Sequence, residues 1–178
     1  MKKLMSLFVA AAMWAGAAGA APVQWAGNNH WYVAVSAPKI TWTAAEAAAE
    51  AAGGYLATLT SQAESDFVYG ALGVGTQPLW LGGIQATTAT SAADGWQWVT
   101  GEAWAFTNWA PGEPNNFGGE RSLAFAYFSP SKWNNAPTNY TGYGSGGYIV
   151  EYVPEPASLA LVGIALGGLG LVRRKRGN

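Results

Sequence analysis

The middle of the chain, residues 100 to 121, is built to be neither helix nor strand. Gly101, Pro111, Gly112, Pro114, Gly118 and Gly119 interrupt any helical turn or strand ladder, and Trp104 and Trp109 stand among them. Irregular segments of roughly 20 residues are uncommon in compact domains unless they carry function, and ligands tend to sit in them. A fold for this chain must therefore hold a long excursion on a rigid scaffold of short elements on either side.

Those elements are legible. Residues 31–35 read as a strand, rich in aromatic and β-branched residues and ended by Ser36-Ala37-Pro38. Thr43-Ala44-Ala45-Glu46 has the capping-box form, in which a hydroxyl accepts from the N3 amide while the carboxylate reaches back, and an Ala-rich run follows until Gly53-Gly54. Ser61-Gln62-Ala63-Glu64 repeats the device, with Phe67, Val68, Ala71 and Leu72 as an apolar stripe before Gly73. After Gly75 the pattern changes to short aromatic runs at 79–84, 96–99, 123–128 and 148–152. In the last, Tyr148, Val150 and Tyr152 share one face, the period of a strand with one side buried. Two helices near the start and several short strands predict an α+β domain, with no internal repeat and no interdomain linker.

Both ends read as targeting segments. Met1-Lys2-Lys3, the apolar residues 4–15 and Ala18-Gly19-Ala20 have the form of a signal peptide over residues 1–20, with cleavage expected after Ala20 or Ala21. Residues 154–178 combine Pro154-Glu155-Pro156, an uncharged stretch 157–172 and Arg173-Arg174-Lys175-Arg176. As a helix that stretch spans about 24 Å against a hydrocarbon core of roughly 30 Å, a gap that snorkelling or a thinned bilayer closes. The positive-inside rule keeps the basic cluster in the cytoplasm and puts the domain, residues 22–153, on the far side.

Six of the nine basic residues lie in these ends, which leaves Lys39, Arg121 and Lys132 against nine carboxylates in the body, a net charge of −6. Such a surface repels nucleic acid. The chain has no cysteine, so an exported domain free to form disulfides uses none, and packing or metal must hold it.

Within the excursion, Glu113-Pro114-Asn115-Asn116-Phe117-Gly118-Gly119-Glu120, followed later by Trp133-Asn134-Asn135, gathers carboxylate and amide oxygens. A hard cation such as Ca²⁺ takes six to eight oxygens at about 2.3–2.6 Å, from carboxylates, amide carbonyls and backbone. The same Pro, Asn and Gly cluster also makes turns without any metal. No nucleophile–base pair or paired acid stands out, which argues against an enzyme. His30, the only histidine, has no Cys or second His as partner and reads as a surface residue at a strand end. Glu46 and Glu50, one helical turn apart, read as a solvated face, Asn108 as a turn residue, and Trp109 and Trp133 as core rather than sugar platforms.

The tail with Pro154-Glu155-Pro156, its apolar span and basic terminus resembles the PEP-CTERM sorting signal of Gram-negative bacteria. That resemblance implies recognition by an exosortase, an inner-membrane intermediate, removal of the tail, and release to the cell surface or an exopolysaccharide matrix. From about residue 28 to 152, the ordered set Trp31-Tyr32, two capped helices, Trp80-Leu81-Gly82-Gly83, Trp96-Gln97-Trp98, Asn108-Trp109, Pro111-Gly112-Glu113-Pro114-Asn115-Asn116, Trp133-Asn134-Asn135 and Gly147-Tyr148-Ile149-Val150-Glu151-Tyr152 resembles a C-type lectin domain. This implies a C-type lectin-like fold in which two helices pack on short antiparallel sheets, the first and last strands pair, and a long loop carries a Ca²⁺ site.

Carried over by motif, the resemblance makes Glu113, Asn115, Glu120, Asn134 and Asn135 the Ca²⁺ ligands, with Glu113, Asn115, Glu120 and Asn134 also meeting two vicinal hydroxyls of a carbohydrate. It implies a cis Glu113–Pro114 bond and a preference for equatorial 3- and 4-hydroxyls, as in mannose- or glucose-type sugars, over galactose. Two departures stand out: the two disulfides usual in the family cannot form, and Asn135 stands where the family motif has Asp. The alternative reading is a metal-independent structural or adhesive matrix protein that uses the same fold for protein contacts.

Overall fold

The computed structural model describes residues 20–75, 78–126, 130–141 and 146–154. In chain order the elements are β1 (Val23–Gln24), β2 (Trp31–Ser36), α1 (Trp42–Ala51), β3 (Tyr55–Leu56), α2 (Gln62–Ala71), β4 (Leu79–Gln85), β5 (Trp96–Trp98), β6 (Ser122–Phe125), β7 (Trp133–Ala136) and β8 (Gly147–Tyr152). Both expected helices and all four expected aromatic runs are present, the third as β6, which ends at Phe125; residues 127–129 lie outside the described residues. The short strands β1, β3 and β7 carry no period long enough to be read from sequence.

The expectation of short antiparallel sheets needs correction. The strands form one eight-stranded mixed sheet in the order β1-β2-β8-β4-β6-β7, with β3 added on β8 and β5 on β4. β2 and β8 pair antiparallel from Trp31↔Tyr152 to Ser36↔Gly147, as expected of first and last strands. β8 then runs parallel to β4, with Leu79 opposite Gly147 and Trp80 opposite Tyr148. A parallel pair needs a long crossover, and everything from β5 to β7 supplies it.

That insertion also overturns the one-sided reading of the last strand. Residues 147–151 of β8 are all buried, on both faces. Ile149 joins Tyr32, Leu59, Leu81, Leu123, Phe125 and Trp133 in one core cluster, while Tyr148 and Val150 join Val33, Trp42, Ala45, Ala49 and Trp80 in the other. Gly147 allows the strand to enter this gap, since a Cβ there would sit 1.9 Å from the Val35 carbonyl oxygen.

Helix α1 starts two residues earlier than its capping box suggests. Thr41, not Thr43, is the N-cap, accepting from the Ala44 amide at 3.2 Å. A start at Trp42 puts Trp42, Ala45 and Ala49 on one buried face, and the Trp42 indole donates to the Leu81 carbonyl at 2.8 Å. Core burial of one tryptophan thus outweighs a local cap, worth about 1 kcal/mol. Ser61 does cap α2, accepting from the Glu64 amide at 3.2 Å. The Glu64 carboxylate, however, turns to the Thr60 amide and hydroxyl and is buried rather than exposed.

Residues 1–19 of the expected signal peptide and residues 155–178 of the tail lie outside the described residues. Among the described residues no helix is long and apolar enough to cross a membrane.

Candidate functional site

The excursion is fastened by aromatic rings. Trp133 is fully buried, and Trp98, Trp104, Phe106 and Trp109 surround it at centroid distances of 5.6, 5.6, 5.4 and 5.7 Å. Trp104 also lies on Trp96 and Trp98 at 5.6 and 4.5 Å. Rings from the loop, from β5 and from β7 therefore share one cluster, and pairs of this kind add about 0.5–1.5 kcal/mol each beyond area burial. Trp133 is core, as expected, while Trp109 is partly buried and packs against that core.

Asn108 is not a plain turn residue. It is buried, its amide donates to the Ser131 carbonyl at 2.6 Å and to the Ser65 hydroxyl at 3.3 Å, and its carbonyl accepts from Lys132 at 2.5 Å. With Trp133 N–H donating to the Asn108 carbonyl and Ala110 N–H to the Trp133 carbonyl, the loop is stitched to the start of β7. Two residues on, Asn135 meets the loop from there.

The five residues singled out from the sequence meet in one neighbourhood. Glu113 precedes a cis bond to Pro114, and its carboxylate accepts from the Asn115 amide N–H at 3.1 Å and from the Asn115 side chain at 2.9 Å. The Asn115 N–H also reaches Asn135 Oδ1 at 3.2 Å, and Asn135 Nδ2 donates to the Glu120 carbonyl at 3.2 Å. Asn134 Nδ2 donates to the Asn135 carbonyl at 2.8 Å. Asn135, fully buried, is thus the clasp between the two halves of the loop.

Three oxygens in this neighbourhood are buried with no hydrogen-bond partner: Glu120 Oε2, Asn134 Oδ1 and Asn116 Oδ1. Orphaned buried acceptors cost about 1–3 kcal/mol each and call for an explanation, an ion among the possibilities. Asn116 was not among the five; its only sequence signal is its place directly after Asn115. Burial raises the Glu120 carboxyl to about 7, the Glu113 charge adds to the rise, and the Phe117 N–H opposes it. Two carboxylates that repel each other beside unpaired amide oxygens make a site that gains from a cation. Among the described residues no three His, Cys, Asp or Glu side chains gather to hold a metal, so any ion here relies on amide oxygens.

A second polar network lies elsewhere and was missed from sequence. Glu64 and Glu151, counted above as surface charges, are both 1% exposed. Tyr32 donates to Glu64 at 2.5 Å and lies 3.2 Å from Glu151. Asn28 donates to Glu64 at 2.8 Å, and Thr58 N–H to Glu151 at 2.8 Å. His30 is no free surface residue: its Nδ1 meets Glu151 at 2.5 Å. Burial pushes the Glu151 carboxyl up, while Thr58 and His30 pull against that rise. This network ties β2, β8 and the start of α2 together.

Two parts of the chain match known families. The family model of the lectin C-type domain matches residues 38–143, and that of the PEP-CTERM protein-sorting motif matches residues 153–176. Human C-type mannose receptor 2 is 28% identical over 106 residues, which are 59% of this chain and 7% of that protein. The chain therefore spans a small part of that relative's length. The cow C-type carbohydrate-recognition domain of CD23, solved in the presence of a GlcNAc2Man3 oligosaccharide, superposes with a TM-score of 0.60 at 21% identity, covering 79% of this chain and 98% of that one. A calcium-independent type II antifreeze protein superposes with a TM-score of 0.59 at 22% identity, covering 75% and 97%.

Proposed function

Because the chain belongs to the C-type lectin domain family and carries a PEP-CTERM sorting motif, we propose that it is a non-catalytic, Ca²⁺-dependent carbohydrate-binding protein exported to the bacterial cell surface or exopolysaccharide matrix. The observation that carries this reading is the set of unpartnered oxygens, Glu120 Oε2 and Asn134 Oδ1, beside the Glu113 carboxylate. Glu113, Asn115, Glu120, Asn134 and Asn135 would hold the ion. Bound Ca²⁺ supplies positive charge and open coordination positions for two vicinal hydroxyl oxygens. The protein's part is then hydrogen bonding: the carboxylates of Glu113 and Glu120 accept from the hydroxyls, and the Asn115 and Asn134 amides each keep one N–H to donate. The resemblance of the Glu113-Pro114-Asn115 motif to that of C-type lectins adds a preference for equatorial 3- and 4-hydroxyls, of mannose or glucose type. With two carboxylates the site is formally neutral once loaded, so its affinity belongs at about 10⁻⁴–10⁻³ M, the extracellular end of the range.

On the tail, the proposal is exosortase processing after passage through an inner-membrane intermediate in a Gram-negative bacterium, with the domain spanning residues 22–153 between signal peptide and sorting tail.

The second reading, a structural or adhesive module that needs no metal, draws support from the clasp itself. Glu113, Asn115 and Asn135 already satisfy one another by hydrogen bonds, and a solved protein of this fold is calcium-independent. Glycan-array binding with and without EGTA separates the two. The lectin reading expects binding that is lost in chelator and lost in Glu113→Ala with the fold retained; equal binding in chelator would refute it.

A further inference from the structure

Two of the three large apolar side chains that stand exposed among the described residues, Tyr55 at 44% and Val153 at 43%, lie at one end of the sheet. Four strands have a terminus there. Gln24 ends β1, Trp31 opens β2 opposite it, Tyr152 ends β8 opposite Trp31, and Tyr55 opens β3 opposite Glu151. The turn from α1 to β3 closes on the same end, since a Cβ on Gly54 would sit 3.0 Å from the Tyr152 ring. Trp31 is half-buried, and like Tyr55 and Val153 it belongs to neither core cluster.

Charge is missing from this end. Residues 24–31, 51–60 and 152–154 contain no Asp, Glu, Lys or Arg, in a domain that carries −6. His30 is there, engaged with the buried Glu151, and the exposed Glu50 stands just before the turn from α1 to β3. Faces rich in carboxylates are repelled by an anionic surface, and this one is not.

The chain also leaves the domain here. Val153 is followed by Pro154-Glu155-Pro156 and then by the uncharged stretch that begins at Ala157. Three extended residues reach about 10 Å, and the head-group layer on one side of a bilayer is about 5–7 Å thick. With residues 157–172 in hydrocarbon, so short a tether leaves room for no more than a thin layer of water between this end of the domain and the lipid.

We infer that this end is a membrane-docking face, and that Trp31, Tyr55, Tyr152 and Val153 rest in the head-group layer for as long as the tail is in place. The inference rests on the reading of residues 154–178 as a membrane-inserted tail. Indole and phenol rings suit that layer because they combine an apolar body with a group that hydrogen-bonds to water or head groups. A docked face also fixes how Pro154-Glu155-Pro156 is presented at the surface of the bilayer.

The chain has no cysteine, so single-cysteine reporters test this directly. Ala51→Cys, at the exposed end of α1 beside the face, and Thr43→Cys, near the exposed start of the same helix about 12 Å away, each carry a fluorescent label. The full chain is reconstituted into vesicles of phosphatidylcholine and phosphatidylglycerol, and quenching by aqueous iodide and by a lipid with a nitroxide on its head group is measured for each label. The label at residue 51 should be shielded from iodide and quenched by the nitroxide lipid, and the label at residue 43 should show the reverse. Tyr55→Ser combined with Val153→Ser should lose the shielding at residue 51 while the chain still floats with the vesicles, and Tyr55→Phe alone should keep it. A label at residue 51 as open to iodide as that at residue 43, on a chain that floats with the vesicles, overturns the docking face, leaves the tail reading in place and points the patch to a protein partner instead. Shielding that survives the double serine substitution overturns the role given to these side chains. A chain that does not float with the vesicles overturns the tail reading, and this inference with it.

Discussion

Asn135→Asp is expected to lower stability without calcium and to recover part of that loss with it, and the clasp geometry sets both magnitudes. Asn135 is fully buried, donates through Nδ2 to the Glu120 carbonyl at 3.2 Å and accepts through Oδ1 from the Asn115 N–H at 3.2 Å. Aspartate keeps the acceptor but turns the donor into an oxygen facing a carbonyl oxygen, beside the carboxylates of Glu113 and Glu120. Without an ion, that lost donor and the buried charge cost about 1–3 kcal/mol. For a domain of this size the melting temperature should drop by on the order of 5–10 °C in EGTA. With an ion, the third carboxylate gives the site the charge it lacks, and a tenfold gain in affinity is the expected scale. At about 10 mM Ca²⁺, binding stabilises by about 1.4 kcal/mol for a Kd of about 10⁻³ M and by about 2.7 kcal/mol for about 10⁻⁴ M. Thermal unfolding of both proteins in EGTA and in Ca²⁺ measures all four values. The variant should melt lower than wild type in EGTA and gain roughly twice as much stabilisation from Ca²⁺. An equal calcium-induced shift in both proteins would remove Asn135 from the ligand set. A variant more stable in EGTA would refute the clasp.

Trp104→Ala should cost about 3 kcal/mol, the low end for a core tryptophan because the ring is only half-buried, and should speed amide exchange across residues 101–121. Urea denaturation and hydrogen exchange check both, and a loss below about 1 kcal/mol with unchanged exchange would show that the rings do not hold the loop. Glu151→Gln tests the second polar network through pH. The folded-state carboxyl is raised above its ordinary value of 4.5, so the folded protein binds the proton more tightly and this group's contribution falls as pH rises from 4.5 through the elevated value. The unfolding free energy of wild type minus that of the variant should therefore decline over that window and level off on both sides. A difference independent of pH would contradict the burial-driven shift.

The sequence alone carried the architecture further than the site's surroundings. Two helices, the strand runs, the long excursion between them and the Glu113-to-Glu120 oxygens are all written in local chemistry: caps, period, glycine and proline, donor type. Those signals depend on neighbours within a few residues and survive without the fold. Where a competing local signal existed, tertiary burial decided. Trp42 moved the start of α1 from the Thr43 box to Thr41, because its indole and ring had a place in the core and a carbonyl to bond.

Only the folded chain could decide what long-range neighbours impose. The insertion of β8 between β2 and β4 buried both its faces, and so turned Glu151 and its partner Glu64 from apparent surface charges into an internal network with Tyr32 and His30. Asn108 became a buried tie, Asn135 a clasp, and six aromatic side chains scattered from Trp96 to Trp133 became one cluster that holds the loop. Residue type and spacing state which atoms a chain owns. Which of them lose water, and which are then left without a partner, depends on contacts between segments a hundred residues apart, and those exist only once the backbone has closed.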